Sequence, residues 1–287
     1  MMAFLVLGCG YTGERVARHL LERGARVHAT TRDPARLAHL AERGALVSPL
    51  EISNPGSIAE LARLLAPTDR EVRVLCSIPP PRTPPRAGLA DLLRALGLLP
   101  ARVVYLSSTA VYGEATVVDE HTPAAPCDEA GRLRLEAEQA AAGGPWSTLA
   151  LRVAAIYGAH RGVHVLLRLG TLGRVRELDQ VVSRVHVDDL AAICEAALLS
   201  TVSGEFPVAD DEPATTREVA AFCRQLGLPA LPPQGPGERA AIGHRGRRVD
   251  GRMIRNLLQV QLRYPSYRTG IPAAIREESL DEGAPIS

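Results

Sequence analysis

The chain has 287 residues with a formal net charge of +1, and 46% of its residues are hydrophobic. This length exceeds one typical domain but suits a single core with a second, smaller lobe. A charge near zero and an aromatic fraction of 3% argue against general binding to nucleic acid or anionic membranes, so we expect small-molecule partners.

The chain opens with the apolar run "MMAFLVLGCG", which lacks the cationic start and the length of a signal peptide. A buried first strand that ends in a glycine turn explains the run better. No later run approaches membrane-spanning length. The cysteines lie far apart and form no CxxC pair, so we expect reduced thiols in a cytoplasmic protein. These residues are Cys9, Cys76, Cys127, Cys194 and Cys223.

Apolar strand patterns alternate with helical patterns over the first 160 residues or so. The strand patterns are "AFLVLG", "RVHATTR", "ALVSPLE", "EVRVLCSI", "ARVVYLSS" and "WSTLALRVAAIYG". The helical patterns are "GERVARHLLERG", "PARLAHLAERG", "SIAELARLLAP" and "AGRLRLEAEQ". This alternation predicts an α/β fold, namely a Rossmann-type doubly wound parallel sheet covered by helices on both faces.

The alternation fades after about residue 158 and returns at "SRVHVDDLAAICEAALLS". We therefore assign residues 1–158 to the Rossmann domain, with 181–200 returning to it, and residues 159–180 and 201–287 to a smaller C-terminal substrate lobe. Within this lobe "GRMIRNLLQV" predicts a helix and "YPSYRTG" predicts a turn. The proline- and glycine-rich "LPPQGPGERAAIGHRGRRVD" predicts an exposed loop.

The sequence "GCGYTG" follows the first strand and opens the first helix, with glycines in GxGxxG spacing. Gly8 permits a tight turn, Gly10 allows the backbone to approach a pyrophosphate, and Gly13 allows close packing of helix and strand. The helix N-terminus offers N–H groups to phosphate, so Tyr11 and Thr12 are assigned to the same NAD(P) site. A merely structural turn is the alternative, and the strand–turn–helix context favours the dinucleotide.

A site specific for NAD would place Asp or Glu at the end of the second strand, about 20 residues further on. This chain has "TTRDP", in which Thr31 carries no carboxylate and Arg32 can reach a 2′-phosphate with a charge-assisted hydrogen bond. The pattern favours NADP, with NAD as the alternative cofactor. In the structural alternative, Arg32 is a solvated strand end and Asp33 caps the next helix.

Five motifs occur in a characteristic order, namely "GCGYTG", "VVYLSSTAVYGE", "VDEHTPAAP", "LRVAAIYGAHRG" and "SRVHVDDL". Over about residues 1–200 they resemble the extended and atypical short-chain dehydrogenases/reductases, the superfamily of NAD(P)-dependent sugar-nucleotide epimerases and dehydratases. The resemblance implies that the Rossmann domain binds NAD(P) and that substrate lies between it and the C-terminal lobe. It also implies that Ser108, with its neighbour Thr109, hydrogen-bonds the reacting oxygen, whereas turn and cap chemistry is the alternative.

The superfamily's YxxxK motif, in which tyrosine transfers a proton and lysine holds the nicotinamide ribose, is missing. Its positions correspond to Ala130 and Arg134, and the chain contains no lysine. Arg134 can hold ribose hydroxyls, but an arginine stays charged and cannot act as an ordinary acid or base. In the structural alternative, Arg134 pairs with Glu138, and Arg132 pairs with Glu136, at helical (i, i+4) spacing.

Tyr157 and Arg161 have YxxxR spacing, and a nearby guanidinium would lower the pKa of Tyr157, which makes it a candidate catalytic residue. In the superfamily, however, the matching YG mainly shapes the loop. His160 and His164 are four residues apart without a third ligand, so we predict no metal site. The other candidates are Glu120, His121 and His186 for proton transfer, and Arg161, Arg174, Arg176 and Arg184 for a nucleotide diphosphate. A solvated loop is expected to carry Arg245, Arg247 and Arg248.

The leading hypothesis is an NADP-binding, atypical short-chain dehydrogenase/reductase, acting as an oxidoreductase or epimerase on a small hydroxylated substrate such as a nucleotide sugar. The alternative is a non-catalytic NAD(P)-binding sensor that has lost the tyrosine–lysine relay. Neither nucleic acid nor a membrane is an expected partner. Because dimers that pack through two helices are common in the superfamily, a homodimer is an open alternative.

Overall fold

The structure, a computed structural model, describes residues 2–65, 71–81, 88–172, 177–231 and 246–283. The strands are β1 (Ala3–Leu7), β2 (Arg26–Thr31), β3 (Leu46–Pro49), β4 (Val72–Cys76), β5 (Arg102–Ser108), β6 (Val117–Val118), β7 (Ser147–Val153), β8 (Ala155–Tyr157), β9 (Val181–Val182), β10 (Arg184–His186), β11 (Gly204–Val208), β12 (Ala214–Thr215) and β13 (Arg248–Val249). The α-helices are α1 (Tyr11–Glu22), α2 (Ala38–Glu42), α3 (Pro55–Leu64), α4 (Leu89–Ala95), α5 (Glu129–Ala142), α6 (Val163–Arg168), α7 (Val187–Leu199), α8 (Thr216–Gln225), α9 (Arg252–Leu258) and α10 (Tyr267–Gly283), and short 3-10 turns span Pro34–Leu37 and Thr109–Tyr112.

Seven parallel strands form the main sheet in the order β11-β7-β5-β4-β1-β2-β3. Helices α1 and α7 cover one face of this sheet, and α3, α4 and α5 cover the other. Because both faces are buried, the strands consist of nearly continuous apolar residues. This confirms the predicted doubly wound α/β fold. The strand order reverses between β1 and β4, and ligands of such sheets bind outside the carboxyl ends of the strands at this point.

The domain boundary predicted at residue 201 does not hold. Strand β11 is an edge strand of the main sheet beside β7, and Ile254 and Leu258 of α9 pack into the same apolar cluster as α1 and α7. Pro207 inside "GEFPV" disguised the strand, but an edge strand tolerates a proline because one side of it needs no ladder hydrogen bonds.

The smaller lobe has its own apolar core, formed mainly by α6, α8 and α10. The turn predicted at "YPSYRTG" is wrong, because α10 begins at Tyr267 and runs to Gly283 with Pro272 inside it. Burial of Tyr267 and Ile271, each 1% exposed, favours a helix despite the proline, whose missing N–H weakens helical propensity. Within the described ranges, no helix combines the length and the apolarity needed to cross a membrane.

Candidate functional site

The glycine turn between β1 and α1 lies where the strand order reverses. Gly8 has a φ of +79°, and its N–H donates to Oγ1 of Thr30 on β2 at 3.1 Å. A Cβ on Gly8 would lie 2.7 Å from Cγ1 of Ile78, and one on Gly13 would lie 3.0 Å from Cγ1 of Val6. Both positions therefore require glycine on steric grounds.

Gly10 differs from these two glycines because the space beside it is open. A Cβ on Gly10 would meet no described atom closer than the carbonyl oxygen of Gly8, at 4.0 Å. Gly10 is the N-cap of α1, so no cap side chain occupies the N–H groups of the first helical turn. Thr12 is buried and offers this site its backbone rather than its side chain. An open cradle at a helix N-terminus fits the pyrophosphate of a dinucleotide.

The Tyr11 side chain joins the glycine turn to the second half of the chain. Its hydroxyl donates to the carbonyl oxygen of Ala159 at 2.8 Å. The guanidinium carbons of Arg15 and Arg161 lie 4.8 and 5.4 Å from the centre of its ring, within range of cation–π attraction. Arg15 also pairs with Glu277 of α10 at 2.7 Å, so the turn is anchored to the smaller lobe.

Arg32, the residue predicted to hold a 2′-phosphate, directly follows the carboxyl end of β2. The Asp33 carboxylate accepts an N–H of the following 3-10 turn at 3.2 Å, which is the capping role considered above, while Arg32 is exposed. Thr31 is half-buried and accepts the Asp33 N–H at 3.4 Å. Burial raises the pKa of the Cys9 thiol to about 12, and the charge of Arg36 acts against this rise, so Arg36 lies near the glycine turn. Arg36 was not among the residues predicted from the sequence, although its spacing of four residues from Arg32 could have indicated it.

The hydroxyl residues at the end of β5 have three different surroundings. Ser107 is buried and donates to the carboxylate of Glu138 on α5. Ser108 accepts the N–H of Ala110 at 3.2 Å and thereby caps the Thr109–Tyr112 turn, so the cap chemistry considered for it is present. Thr109 is 6% exposed, and its hydroxyl makes no hydrogen bond to any residue the structure describes. A catalytic role for Ser108 and Thr109 stays a prediction.

Helix α5 carries Ala130 and Arg134, the two positions to which the resemblance assigns the superfamily's tyrosine and lysine. Ala130 is exposed in the first turn. Arg134 is half-buried, and its Nη1 donates to the carbonyl oxygen of Leu106 at 3.1 Å and to the hydroxyl of Tyr105 at 3.4 Å, both on β5. Burial raises the pKa of Tyr105 to about 12, so this hydroxyl stays protonated at neutral pH. One edge of the Arg134 guanidinium is thus committed to the sheet.

The two ion pairs predicted along α5 do not form. Glu138 is 4% exposed and pairs with Arg152 of β7, with a closest distance of 2.8 Å, rather than with Arg134. An uncompensated buried charge is strongly destabilising, and Arg152, itself 8% exposed, compensates the Glu138 carboxylate from the sheet. Arg132 and Glu136 are both exposed, and no contact described in the structure joins them.

A small cavity of about 30 Å³, partly open to solvent, lies between the end of β5, the start of α5 and the short strands β9 and β13. Its polar lining comes from Thr109, Asp128, Ser183 and Arg247. Small apolar residues complete the walls, namely Ala110, Gly113, Ala154, Ala155, Val182 and Val249. The lining is therefore polar at a few points and otherwise made of small apolar residues.

Arg247 is the contribution of the C-terminal segment to this cavity. It is 7% exposed, so the solvated loop expected here is wrong for this residue. Its guanidinium donates to the carbonyl oxygens of Thr109, of Gly113 at 2.6 Å and of Ala115 at 3.0 Å. A buried arginine with three backbone acceptors fixes the loop that follows β5. Because its acceptors lie more than 130 residues away in the chain, sequence spacing gave no signal for this role.

Solved structures with this architecture were found, whereas no family model and no curated protein matches the chain. A conserved protein of unknown function from Silicibacter pomeroyi is 32% identical, with a TM-score of 0.77 over 96% of this chain and 98% of that protein. An identity of 32% over nearly the whole of both chains shows that the two proteins belong to one family. The chain belongs to the family of the Silicibacter pomeroyi protein. It has the extended short-chain dehydrogenase/reductase fold, which confirms the resemblance drawn from the motifs.

The fold assignment rests on further structures of lower identity. MoeE5 in complex with UDP-glucose and NAD is 21% identical, with a TM-score of 0.79 over 99% of this chain and all of MoeE5 (100%). The UDP-glucose 4-epimerase of Thermus thermophilus in complex with NAD is 18% identical, with a TM-score of 0.74 over 96% of this chain and 99% of the epimerase. Both proteins have the same fold as this chain.

In this dehydrogenase/reductase-fold protein, Tyr157 lies in the core of the smaller lobe. It is 3% exposed, and a Cβ on Gly270 of α10 would lie 2.2 Å from its hydroxyl. Burial, followed by the charge of Asp210, raises its pKa, so the lowered pKa predicted for it is wrong. Arg161, the expected cause of the lowering, stacks on Tyr11 instead. Tyr157 is not among the residues that line the cavity, and its catalytic role stays a prediction on which nothing below depends.

The histidine candidates also lie away from the cavity lining. Nε2 of His164 contacts Oε1 of Glu278 at 3.1 Å, and Nε2 of His160 contacts Oδ2 of Asp281 at 3.0 Å, both on α10. Burial lowers the pKa of His186 to about 4, so this ring is neutral at physiological pH. Among the residues with described positions, no cluster of three or more metal-ligating side chains occurs.

The remaining candidates do not converge on one place. Arg184 is buried and donates to the carbonyl oxygens of Val182 and Ala214, both at 2.8 Å, which is a structural role. Oε1 of Glu120 and Nε2 of His121 are 3.6 Å apart, with His121 exposed to solvent. Three further arginine candidates lie outside the described residues, namely Arg174, Arg176 and Arg245.

Proposed function

We propose that this chain binds NADP at the glycine turn and acts as an oxidoreductase or epimerase on a small hydroxylated substrate such as a nucleotide sugar. The observation that carries the proposal is the open cradle at Gly10, at the strand-order reversal of the sheet, combined with a separate polar cavity at the end of β5. Support also comes from proteins of the same fold whose structures contain NAD and UDP-glucose.

Each part of a nicotinamide dinucleotide has a matching group in this chain. The turn formed by Gly8, Gly10 and Gly13, with the N–H groups of Tyr11 and Thr12, would hold the pyrophosphate. Thr31 and Arg32, with Arg36 as a second cation, would hold the 2′-phosphate, and the free edge of Arg134 would hold the nicotinamide ribose. When bound, the nicotinamide supplies the hydride acceptor or donor.

The hydroxyls of Ser108 and Thr109 would orient the reacting oxygen of the substrate. Proton transfer is the weaker half of the site, because no tyrosine, histidine or cysteine is among the described residues that line the cavity. This observation favours a second candidate function, a dinucleotide sensor that binds NADP and a sugar nucleotide without turning them over. Homodimerisation and a cytoplasmic location stay predictions.

Titration of the purified chain with NADPH and NADH by fluorescence tests the cofactor proposal. We expect NADPH to bind at least about tenfold more tightly, and Arg32→Ser to abolish this preference, because a charge-assisted contact to the 2′-phosphate is lost. Arg43→Ser is the matched control, since Arg43 is exposed and forms a surface ion pair with Glu22 at 3.4 Å. Absence of binding by both nucleotides would refute the proposal.

Turnover separates the enzyme from the sensor. The chain is incubated with NADP⁺ or NADPH and a panel of nucleotide sugars and carbonyl compounds, and absorbance at the nicotinamide band and sugar products are followed. Hydride transfer or epimerisation of any panel member establishes the enzyme. Tight binding of cofactor and sugar nucleotide without conversion establishes the sensor.

A further inference from the structure

Two side-chain hydroxyls hold the glycine turn from the strands on either side of β1. Thr30 belongs to β2 and Ser77 directly follows β4, and these are the two strands that pair with β1. Oγ1 of Thr30 accepts the N–H of Gly8 at 3.1 Å, and Oγ of Ser77 donates to the carbonyl oxygen of Gly8 at 2.5 Å. Both backbone polar groups of Gly8 are therefore held, each by a residue of a different strand.

The backbones of the same two residues hold the neighbouring peptide groups. The carbonyl oxygen of Thr30 accepts the N–H of Cys9 at 2.6 Å, and the N–H of Ser77 donates to the carbonyl oxygen of Leu7 at 2.9 Å. Oγ1 of Thr30 also donates to the carbonyl oxygen of Val6 at 3.2 Å, so this hydroxyl both accepts and donates. Thr30 thus binds two N–H groups at the end of β1, and Ser77 binds two carbonyl oxygens there.

These contacts matter because Gly8 is the least constrained kind of residue. It has a φ of +79°, and glycine has more backbone freedom than any other residue. Helix α1 begins at Tyr11 without a side-chain cap, so its first N–H groups are the donors left for an anion. The direction of these N–H groups depends on the conformation of the turn that precedes them, and the two hydroxyls fix that conformation at Gly8.

The Ser77 hydroxyl also partners an oxygen that lies beside the start of α1. A Cβ on Gly13 would lie 3.2 Å from the carbonyl oxygen of Gly8, so the partial negative charge of this oxygen is close to the helix N-terminus. The same oxygen accepts the N–H of Gly10 at 2.8 Å. Two donors on one carbonyl oxygen reduce the repulsion that it would exert on an anion nearby.

We propose that Thr30 and Ser77 are positioning residues of the cofactor site, whose hydroxyls hold the glycine turn in the conformation that presents the α1 N-terminus to the pyrophosphate. This inference rests on the proposed function, because it assumes that NADP binds at this turn. Neither hydroxyl needs to contact the cofactor. Since NADP and NAD share the pyrophosphate, loss of a hydroxyl should weaken both nucleotides by the same factor, whereas loss of Arg32 should weaken NADP selectively.

Fluorescence titration of the full chain with NADPH and NADH, combined with urea denaturation, tests the role of Ser77. In Ser77→Ala the carbonyl oxygen of Gly8 keeps the N–H of Gly10, so we expect a folded chain. Both nucleotides should bind about fivefold more weakly, the effect of losing one hydrogen bond, with the preference between them unchanged. Ser77→Thr keeps the hydroxyl and should restore both affinities to within about twofold of wild type.

Thr30→Val tests the second hydroxyl with little change in the shape of the side chain. This variant leaves the N–H of Gly8 without its acceptor, and an unsatisfied N–H is costlier than a carbonyl oxygen that keeps another donor. Both affinities should therefore fall by about tenfold, again in parallel. Thr30→Ser keeps the hydroxyl and should recover most of this loss.

Thr148→Val is the matched control for a lost hydroxyl in the same sheet. Thr148 is half-buried near the amino end of β7, and its Oγ1 donates to the carbonyl oxygen of Ala141 at 3.2 Å. The glycine turn follows the carboxyl end of β1, at the opposite edge of the parallel sheet. We expect Thr148→Val to lower the unfolding midpoint in urea about as much as Ser77→Ala does and to leave both nucleotide affinities unchanged.

The outcomes distinguish this inference from the function on which it rests. Affinities within twofold of wild type in Ser77→Ala or in Thr30→Val overturn the role of that residue. An equal loss of affinity in Thr148→Val, a loss that the hydroxyl-retaining variants do not recover, or a loss confined to NADPH overturns the proposal as a whole. Failure of the wild-type chain to bind either nucleotide overturns the proposed function and this inference together.

Discussion

The glycine turn after β1 is the expected cofactor-binding element, and the first turns of α5 are the expected proton-transfer element. Different physical constraints determine which residues can occupy each of them. At the turn, a Cβ on Gly8 or Gly13 would press on Ile78 or Val6, so packing alone demands glycine at both positions. On α5, Gly131 is equally constrained, since a Cβ there would lie 2.6 Å from the carbonyl oxygen of Ala110. The adjacent Ala130 is exposed and under no such constraint.

The difference shows that the docking of a helix on the sheet can be fixed by residues other than those at its predicted reacting positions. Helix α5 docks on the sheet through groups such as Gly131 and the buried Glu138, while Ala130 and Arg134 stand where the resemblance predicts the superfamily's tyrosine and lysine. At the glycine turn, Gly8 and Gly13 have no comparable freedom, because the atoms packed against them leave no room for a Cβ. Sequence motifs therefore predict cofactor binding more securely than they predict the reaction.

The largest expected effect tests whether packing fixes α5. Arg152→Met leaves the Glu138 carboxylate buried without its cation, so we expect the free energy of unfolding to fall by about 3–5 kcal/mol in urea denaturation. The double variant Glu138→Met with Arg152→Met should recover most of this loss, because no uncompensated charge remains. Arg94→Met breaks the exposed pair with Asp91 and should leave the unfolding midpoint unchanged. A similar loss in the double and single variants would refute the ion-pair argument.

The same pair shows where sequence reasoning reaches its limit. Helical spacing predicted that Glu138 pairs with Arg134, but burial selected Arg152, which lies 14 residues further along the chain on a neighbouring strand. The doubly wound sheet and the glycine turn were predictable because they follow from short-range periodicity and from steric rules. The cavity was not, since Arg247 reaches Thr109 across 138 residues and only the fold brings them together.

An intermediate effect is expected at the glycine turn. Gly8→Ala combines a φ of +79° with a steric clash, so it should cost about 2–3 kcal/mol in unfolding free energy and abolish binding of NADPH. Gly24→Ala is the matched control, because Gly24 has a φ of +73° but nothing within 4 Å of its Cβ position. It should cost only about 1 kcal/mol, from backbone strain alone, and leave NADPH affinity unchanged. Equal losses of affinity would show that global destabilisation, not the cradle, controls binding.

The smallest effect tests whether α5 still takes part in cofactor binding. Arg134→Met removes the hydrogen bond to the carbonyl oxygen of Leu106, and because Arg134 is half-exposed we expect a loss of only about 1 kcal/mol. If the free guanidinium edge also holds the nicotinamide ribose, NADPH affinity should fall about fivefold in fluorescence titration, since a hydrogen bond from a charged group is lost. Arg132→Met, at the exposed position two residues earlier, should change neither quantity. Lower stability with unchanged NADPH affinity would show that Arg134 only binds the sheet. In that case α5 would differ fully from the glycine turn, because this residue would contribute packing and no cofactor contact.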